Sequence, residues 1–188
     1  MAIDFRVTGE QLIGIPIFSN LNPFEAMTLM EITSIRAFSE GQAIFEEGTP
    51  GDSLFVILKG RVDILKDLGG SEKKVIAQFG AGTAFGEMTL IADSVAERTA
   101  SALATERTRV LIIHKDDFQK LVNFGSLIAY KVAFNISKLL SERLTRVDQA
   151  LLEFYNDSDG QTQKTLEIFI ERRRKILDTV SSKELAGK

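Results

Sequence analysis

The chain has 188 residues, 44% of them hydrophobic, with a formal net charge of -3 and a pI near 5.4. That length suits one well-buried core with an appendage rather than two full domains, and the mild acidity supplies no domain-wide positive field for nucleic-acid phosphates. Cysteine is absent, which excludes disulfides, iron–sulfur clusters, thiolate zinc sites and cysteine nucleophiles.

The opening "MAIDFRVTGEQLIGIPIFSN" is interrupted by Asp4 and Glu10 and lacks a cationic start, so it does not read as a signal peptide. No apolar run reaches the roughly eighteen residues of a membrane span; a cytoplasmic location is the expectation. In "NPFEAMTLMEITSI" (22–35), Asn22 is an N-cap and Pro23 occupies the first helical position, which predicts a short helix. Residues 1–33 form an N-terminal helical segment.

From 34 to 116 the texture is β-rich. "SIRAFS", "QAIFEEG", "SLFVILKGRVDILKD", "KVIAQFG", "TASALA" and "RVLIIHK" are brief strand-like runs punctuated by glycines. Short strands at regular spacing predict a sandwich or rolled barrel. Within it, "SLFVILKGRVDIL" reads as a hairpin turning near Lys59-Gly60, with one face of its second arm buried and the other wet.

Residues 117–157 are assigned to a long C-terminal helix for hinging or dimerisation, and 158–188 to a terminal helix and polar tail. "SLIAYKVAFNISKLLSERLTRVDQALLEFYND" (126–157) has no Gly or Pro, and Ile136, Leu140, Leu144, Val147, Leu151 and Phe154 keep nearly coiled-coil spacing. Two occupants of that seam stay open, the chain's own sandwich and the same helix of a second copy. The second is favoured for the later part, giving a homodimer. The fold class is therefore α+β: a β-roll or jelly-roll sandwich with an N-terminal helix and long C-terminal helices.

Site-like chemistry concentrates in "FGAGTAFGEMTLIADSVAERTASALA" (79–104). Gly82 and Gly86 permit tight turns, and "EMTLIA" has helical composition, so the junction offers backbone N–H groups and a helix dipole to a phosphate. Arg98 adds a planar guanidinium able to grip phosphate oxygens in bidentate fashion, with the Thr99 hydroxyl beside it. Glu87 cannot bind phosphate, but a carboxylate accepts a hydrogen bond from a ribose 2′-hydroxyl. A ligand carrying a sugar hydroxyl and a phosphate close together suits the pair, and a cyclic nucleotide is such a ligand.

The order Phe-Gly-Glu, short helix, Arg-Thr-Ala-Ser resembles the phosphate-binding cassette of the cyclic-nucleotide-binding domain family, found in catabolite activator proteins, protein kinase A regulatory subunits and nucleotide-gated channels. "IPIFSNL" and "EGQAIFEEGTPGDSLFVILKGRVDIL" resemble the family's entry segment and first strands, so the likeness runs over about residues 12–146. It implies that Gly86, Glu87 and Met88 serve backbone and ribose contacts, and Arg98, Thr99 and Ala100 the cyclic phosphate of cAMP or cGMP. Arg143 in "LLSERL" is the implied base cap. The stretch departs from the family's pattern in the eleven positions from Glu87 to Arg98, a little longer than usual, and in Glu97 before the arginine. The resemblance further implies a sensor without catalytic activity, without cofactor or metal, dimerising through the long helix and acting on a protein effector. Only 28 residues follow Gly160, with one helix, so direct DNA binding is not expected.

Competing readings come from other classes. Taken singly, Arg98 and Glu87 are charged loop residues of the kind that usually meet solvent or each other, and a ligand-free interaction module could share the scaffold. A cupin-type metal dioxygenase shares the rolled sheet, but its metal needs several histidines where this chain has His114 alone. "GAGTAFG" lacks the three-residue glycine spacing and βαβ setting of a dinucleotide fingerprint. "ERRRK" (171–175) reads as the wet face of a helix, and Asn135-Ile136-Ser137 is a glycosylation sequon by letters only.

Overall fold

The computed structural model describes residues 7–70, 72–91 and 96–186, and their side chains except 173, 174 and 176–186. Asp4 of the opening segment, residues 92–95 of the glycine-rich stretch and the last two residues of the polar tail lie outside the described residues. Two compact units, Met1–Leu139 and Leu140–Lys188, divide the chain.

The first unit opens with α1 (Gly9–Ile13), a 3-10 turn at Pro16–Phe18 and α2 (Pro23–Met30). Both α-helices start in capping boxes, Thr8 with Gln11 and Asn22 with Glu25, so two otherwise unpaired amides are satisfied at each start. Pro23 occupies the first turn, where a missing N–H costs nothing. The two helices touch at Gly9, where a Cβ would stand 2.7 Å from the Pro23 carbonyl oxygen.

Ten strands follow among the described residues: β1 (Thr33–Phe38), β2 (Ala43–Phe45), β3 (Pro50–Gly51), β4 (Ser53–Lys59), β5 (Arg61–Lys66), β6 (Lys74–Gly80), β7 (Ala84–Phe85), β8 (Ala96–Glu97), β9 (Ser101–Ala104) and β10 (Thr108–His114). One antiparallel sheet has the order β1-β10-β4-β7, a second β2-β9-β5-β6, and β3 pairs with β8 in a small ribbon. Phe38, Phe55, Ile57, Val62, Phe85, Ala102, Ala104, Val110 and Ile112 fill the space between the sheets. Because side chains alternate along a strand, Leu54 and Val56 of β4 and Leu111 and Ile113 of β10 point to the opposite face. They too are fully buried, and Leu12, Ile17, Phe18, Leu29, Phe118, Val132 and Ile136 supply the helical cover. The β-roll expectation holds.

The expected hairpin at Lys59-Gly60 does not form. β4 pairs with β10 and β7, whereas β5 pairs with β6 and β9 in the other sheet. Gly60 is the corner where the chain switches sheets: its φ is +100, and a Cβ would lie 2.6 Å from the Cα of Thr108. Thr108 Oγ1 closes the corner, accepting from Arg61 N at 3.1 Å and donating to Arg61 O at 2.9 Å. The hairpin lies one strand later, β5 with β6, registered from Arg61↔Gly80 to Lys66↔Lys74.

Residues 117–157 hold two helices rather than one. The helix α4 (Lys115–Asn123) begins directly after β10, and α5 runs over Leu127–Asp157. Between them, Gly125 N donates to Val122 O and Ser126 N to Leu121 O, with Gly125 at φ +66; this paired pattern around a left-handed glycine terminates a helix. The start of α5 is fastened to the N-terminal segment by polar contacts, half-buried at Lys131 and buried at Asn135. Lys131 Nζ donates to both carboxylate oxygens of Glu25 at 2.7 Å, and Asn135 Nδ2 donates to Ile17 O while its Oδ1 accepts from Asn20. Asn135 is thus buried and engaged, so its sequon does not present a free acceptor amide.

In the second unit α5 continues to Asp157 and α6 spans Gly160–Ala186. Asp159 caps α6 by accepting from Thr162 N at 2.8 Å, and Tyr155 OH donates to Glu167 Oε1 at 2.8 Å across the two helices. The predicted seam changes character along α5: Ile136, in the first unit, is fully buried, whereas Leu144, Val147 and Phe154 are exposed, Val147 by 63%. Among the described residues, no helix is long and apolar enough to cross a membrane.

Candidate functional site

The glycine-rich stretch is built against β4. Phe85 of β7 lies opposite Phe55, and the chain then turns at Gly86 with φ +74. Only glycine fits there, because a Cβ would stand 2.7 Å from Arg98 Nη1 and 3.1 Å from Ser53 O. The helix that follows, α3 (Met88–Ile91), has four residues. Its Thr89 and Leu90 amides bond back to the carbonyls of Gly86 and Glu87. One turn carries little dipole, so the anion-binding capacity expected of this junction falls mainly to the arginine.

Arg98 is held by its backbone first. The ribbon pairs Pro50 with Glu97 and Gly51 with Ala96, after which Arg98 N donates to Thr49 O and Arg98 O accepts from Gly48 N, both at 2.8 Å. The side chain therefore leaves a fixed point. It runs inward to 5% exposure, with its guanidinium carbon 4.3 Å from the Phe45 ring centroid and 5.3 Å from that of Phe55. Nη1 donates to Thr89 Oγ1 at 3.2 Å, and Nη2 stands 3.9 Å from Asp52 Oδ1. Nε is buried without a hydrogen-bond partner.

These contacts describe a cation short of counter-charge. Burial pulls the Arg98 guanidinium below its ordinary value, and Asp52, whose side chain is 77% exposed, works against that from a distance. Ring faces partly offset the loss of water, but a buried guanidinium is best satisfied by an anion that takes several of its N–H groups at once. A phosphate or carboxylate of a ligand has that chemistry.

Of the other expected residues, Glu87 and Ala100 are buried, while Met88 is 56% exposed. Thr99 is exposed, and its carbonyl accepts from Lys66 Nζ at 2.7 Å. Arg143 belongs to the second unit, whereas every contact of Arg98 given above lies within the first. Thr89, Asp52, Phe45 and Phe55 were not foreseen. Thr89 could have been suspected as a hydroxyl within "GEMTL"; the others arrive by strand pairing. His114 Nδ1 lies 2.9 Å from Ser53 Oγ, which also donates to Asp52 Oδ1 at 2.7 Å, so the lone histidine joins a polar chain. Among the described residues no three His, Asp or Glu side chains gather as a metal site.

Residues 35–123 match the family described as "Cyclic nucleotide-binding domain". The "Cyclic AMP receptor protein" of Thermus thermophilus is 32% identical over 138 residues, which cover 73% of this chain and 61% of that protein. A "cAMP-dependent protein kinase regulatory subunit" of Hypocrea atroviridis is 32% identical over 57% of this chain and 22% of its own length. The chain thus spans less than two thirds of either relative. The crystal structure of a cyclic nucleotide-binding domain from Methylobacillus flagellatus superposes with a TM-score of 0.69 at 28% identity, covering 77% of this chain and 83% of that one. Residues 35–123 thus carry the pattern of a cyclic nucleotide-binding domain.

Proposed function

We propose that the chain is a regulatory sensor that binds a cyclic nucleotide, cAMP or cGMP, at Arg98. The observation that carries this is the buried guanidinium whose Nε has no hydrogen-bond partner and which, among the described residues, meets a carboxylate only at 3.9 Å, that of Asp52. The cyclic phosphate takes the guanidinium, Thr99 and Ala100 flank it, and Glu87 receives the ribose hydroxyl, with Gly86 and Met88 on the backbone side. The protein works without catalysis, in the cytoplasm; binding shifts an existing equilibrium of the cassette and the following helices by the difference in affinity between two states. The exposed Leu144, Val147 and Phe154 support a homodimer through the later part of α5, and output passes to a protein effector.

Titration calorimetry with cAMP and cGMP tests the reading. Micromolar binding corresponds to about 8 kcal/mol, and Arg98→Ala is expected to remove roughly 2 to 5 kcal/mol of it, because the phosphate is left buried without its charged partner. Arg143→Ala in the same titration tests the base cap. The rival reading, a scaffold used only for protein contacts, draws on the depth of Arg98 between two phenyl rings. Absence of heat with either nucleotide decides for it.

A further inference from the structure

Beside Arg98, two lysines and two glutamates fasten the segment that follows it to the rest of the roll. Ser101, nearly fully buried, uses its hydroxyl three times: it donates to Glu46 Oε2 at 3.0 Å and accepts from Glu47 N at 3.0 Å and from Lys73 Nζ at 2.9 Å. Lys73 Nζ also stands 2.7 Å from Glu46 Oε2. Two residues earlier, the Thr99 carbonyl accepts from Lys66 Nζ at 2.7 Å, and that ammonium also bonds Glu47 Oε1. The second oxygen of Glu47 accepts from Asp67 N at 3.0 Å.

Two pieces of chain thereby converge on Thr99–Ser101. Glu46 and Glu47 follow β2, and Lys66, Asp67 and Lys73 lie at the turn of the β5–β6 hairpin. A single surface ion pair argues for little, since solvent screens it and side-chain entropy opposes it. Here both pairs also bond backbone groups or a buried hydroxyl of one short segment, so the charges share fixed partners. The hydrogen bonds from Lys66 and Lys73 hold the Glu47 and Glu46 carboxyls below their ordinary range, and Glu46 holds Lys73 protonated. Lys66 and Lys73 are poorly suited to meet a phosphate directly, because each ammonium is already shared between a carboxylate and a second acceptor.

We infer that Lys66 and Lys73, anchored on Glu47 and Glu46, are positioning residues of the anion site: they hold the Thr99–Ser101 backbone in register with Arg98, so that ligand meets a preformed segment. This rests on the nucleotide-binding reading above. A preformed segment chiefly lengthens residence, because most affinity differences within one site appear in the dissociation rate.

The test uses the full chain as wild type, Lys66→Met, Lys66→Arg, Glu47→Gln and the Lys66→Met/Glu47→Gln double variant. Two quantities are measured: cAMP dissociation by stopped flow, and hydrogen exchange of the 96–104 peptide without nucleotide. Lys66→Met is expected to speed dissociation about tenfold with little change in association, and to speed exchange at 99–101 comparably. Lys66→Arg restores both, and the double variant is no worse than Lys66→Met, as coupled partners require. Unchanged dissociation and exchange in Lys66→Met overturn the positioning role alone. So does a loss that follows the thermal midpoint and is not rescued by arginine. Failure of the wild type to bind any cyclic nucleotide overturns the reading on which the role rests.

Discussion

The rolled sheets and the C-terminal pair of helices treat their apolar residues in opposite ways. β4 and β10 hide large side chains on both faces, Phe55, Ile57, Val110 and Ile112 between the sheets and Leu54, Val56, Leu111 and Ile113 beneath helices. In the unit Leu140–Lys188, by contrast, Leu144, Val147, Leu152, Phe154, Ile168, Phe169 and Ile170 are exposed. Among the described side chains of that unit none is buried, and α5 and α6 are linked by the Tyr155–Glu167 hydrogen bond. One unit is complete in a single chain; the other displays an apolar surface of the kind that marks an interaction site.

The largest effect is expected at Gly60, the corner of the self-contained unit. Gly60→Ala combines a left-handed backbone with a Cβ inside the van der Waals shell of Thr108, and should cost the roll about 3 kcal/mol or more in urea unfolding. An unchanged midpoint removes the tight corner from the account. Next in size, Leu144→Ser with Val147→Ser should weaken self-association by about 2 kcal/mol, read as a shift toward single-chain mass in sedimentation at dilution. The roll's own unfolding should move by less than about 0.5 kcal/mol; a large fall there means that the seam is structural within one chain. The smallest effect concerns the half-buried Lys131–Glu25 pair that fastens the start of α5. The hydrogen bond from Lys131, and then the Asn22 amide, hold the Glu25 carboxyl below its ordinary 4.5. A carboxyl lowered in the folded state stabilises it above that value and loses the contribution as pH falls through the folded value. Denaturant midpoints between pH 5 and 3 should therefore fall less steeply in Glu25→Gln than in wild type.

Local patterns in the sequence revealed local structure and little of the pairing. Asn22 and Pro23 announced α2 because capping is a matter of neighbouring residues, and the absence of Gly and Pro after Ser126 announced α5. Gly60 was legible as a turn but not as a sheet switch, since a glycine between two apolar strands serves either, and only the partners β10 and β9 decide. Gly125, which separates α4 from α5, was a visible stop signal that the assignment of 117–157 passed over. At the site, Gly86, Glu87 and Arg98 stood out as a charged, glycine-bearing motif. Phe45, Phe55 and Asp52 did not, because nothing local says that the β3–β8 ribbon and β4 will deliver them to one guanidinium.

The register of the first sheet reaches into how the chain is made. Thr33 pairs with Ile113 and Phe38 with Thr108, and among the described residues β1 has no other strand neighbour. On a ribosome, β1 and nearly all of β4 must therefore wait unpaired, with the apolar run of β4 uncovered, until β10 leaves the exit tunnel. Contacts so distant in sequence form slowly and leave nascent intermediates prone to association, so a transcript truncated anywhere before His114 yields an aggregating fragment in place of a smaller folded domain.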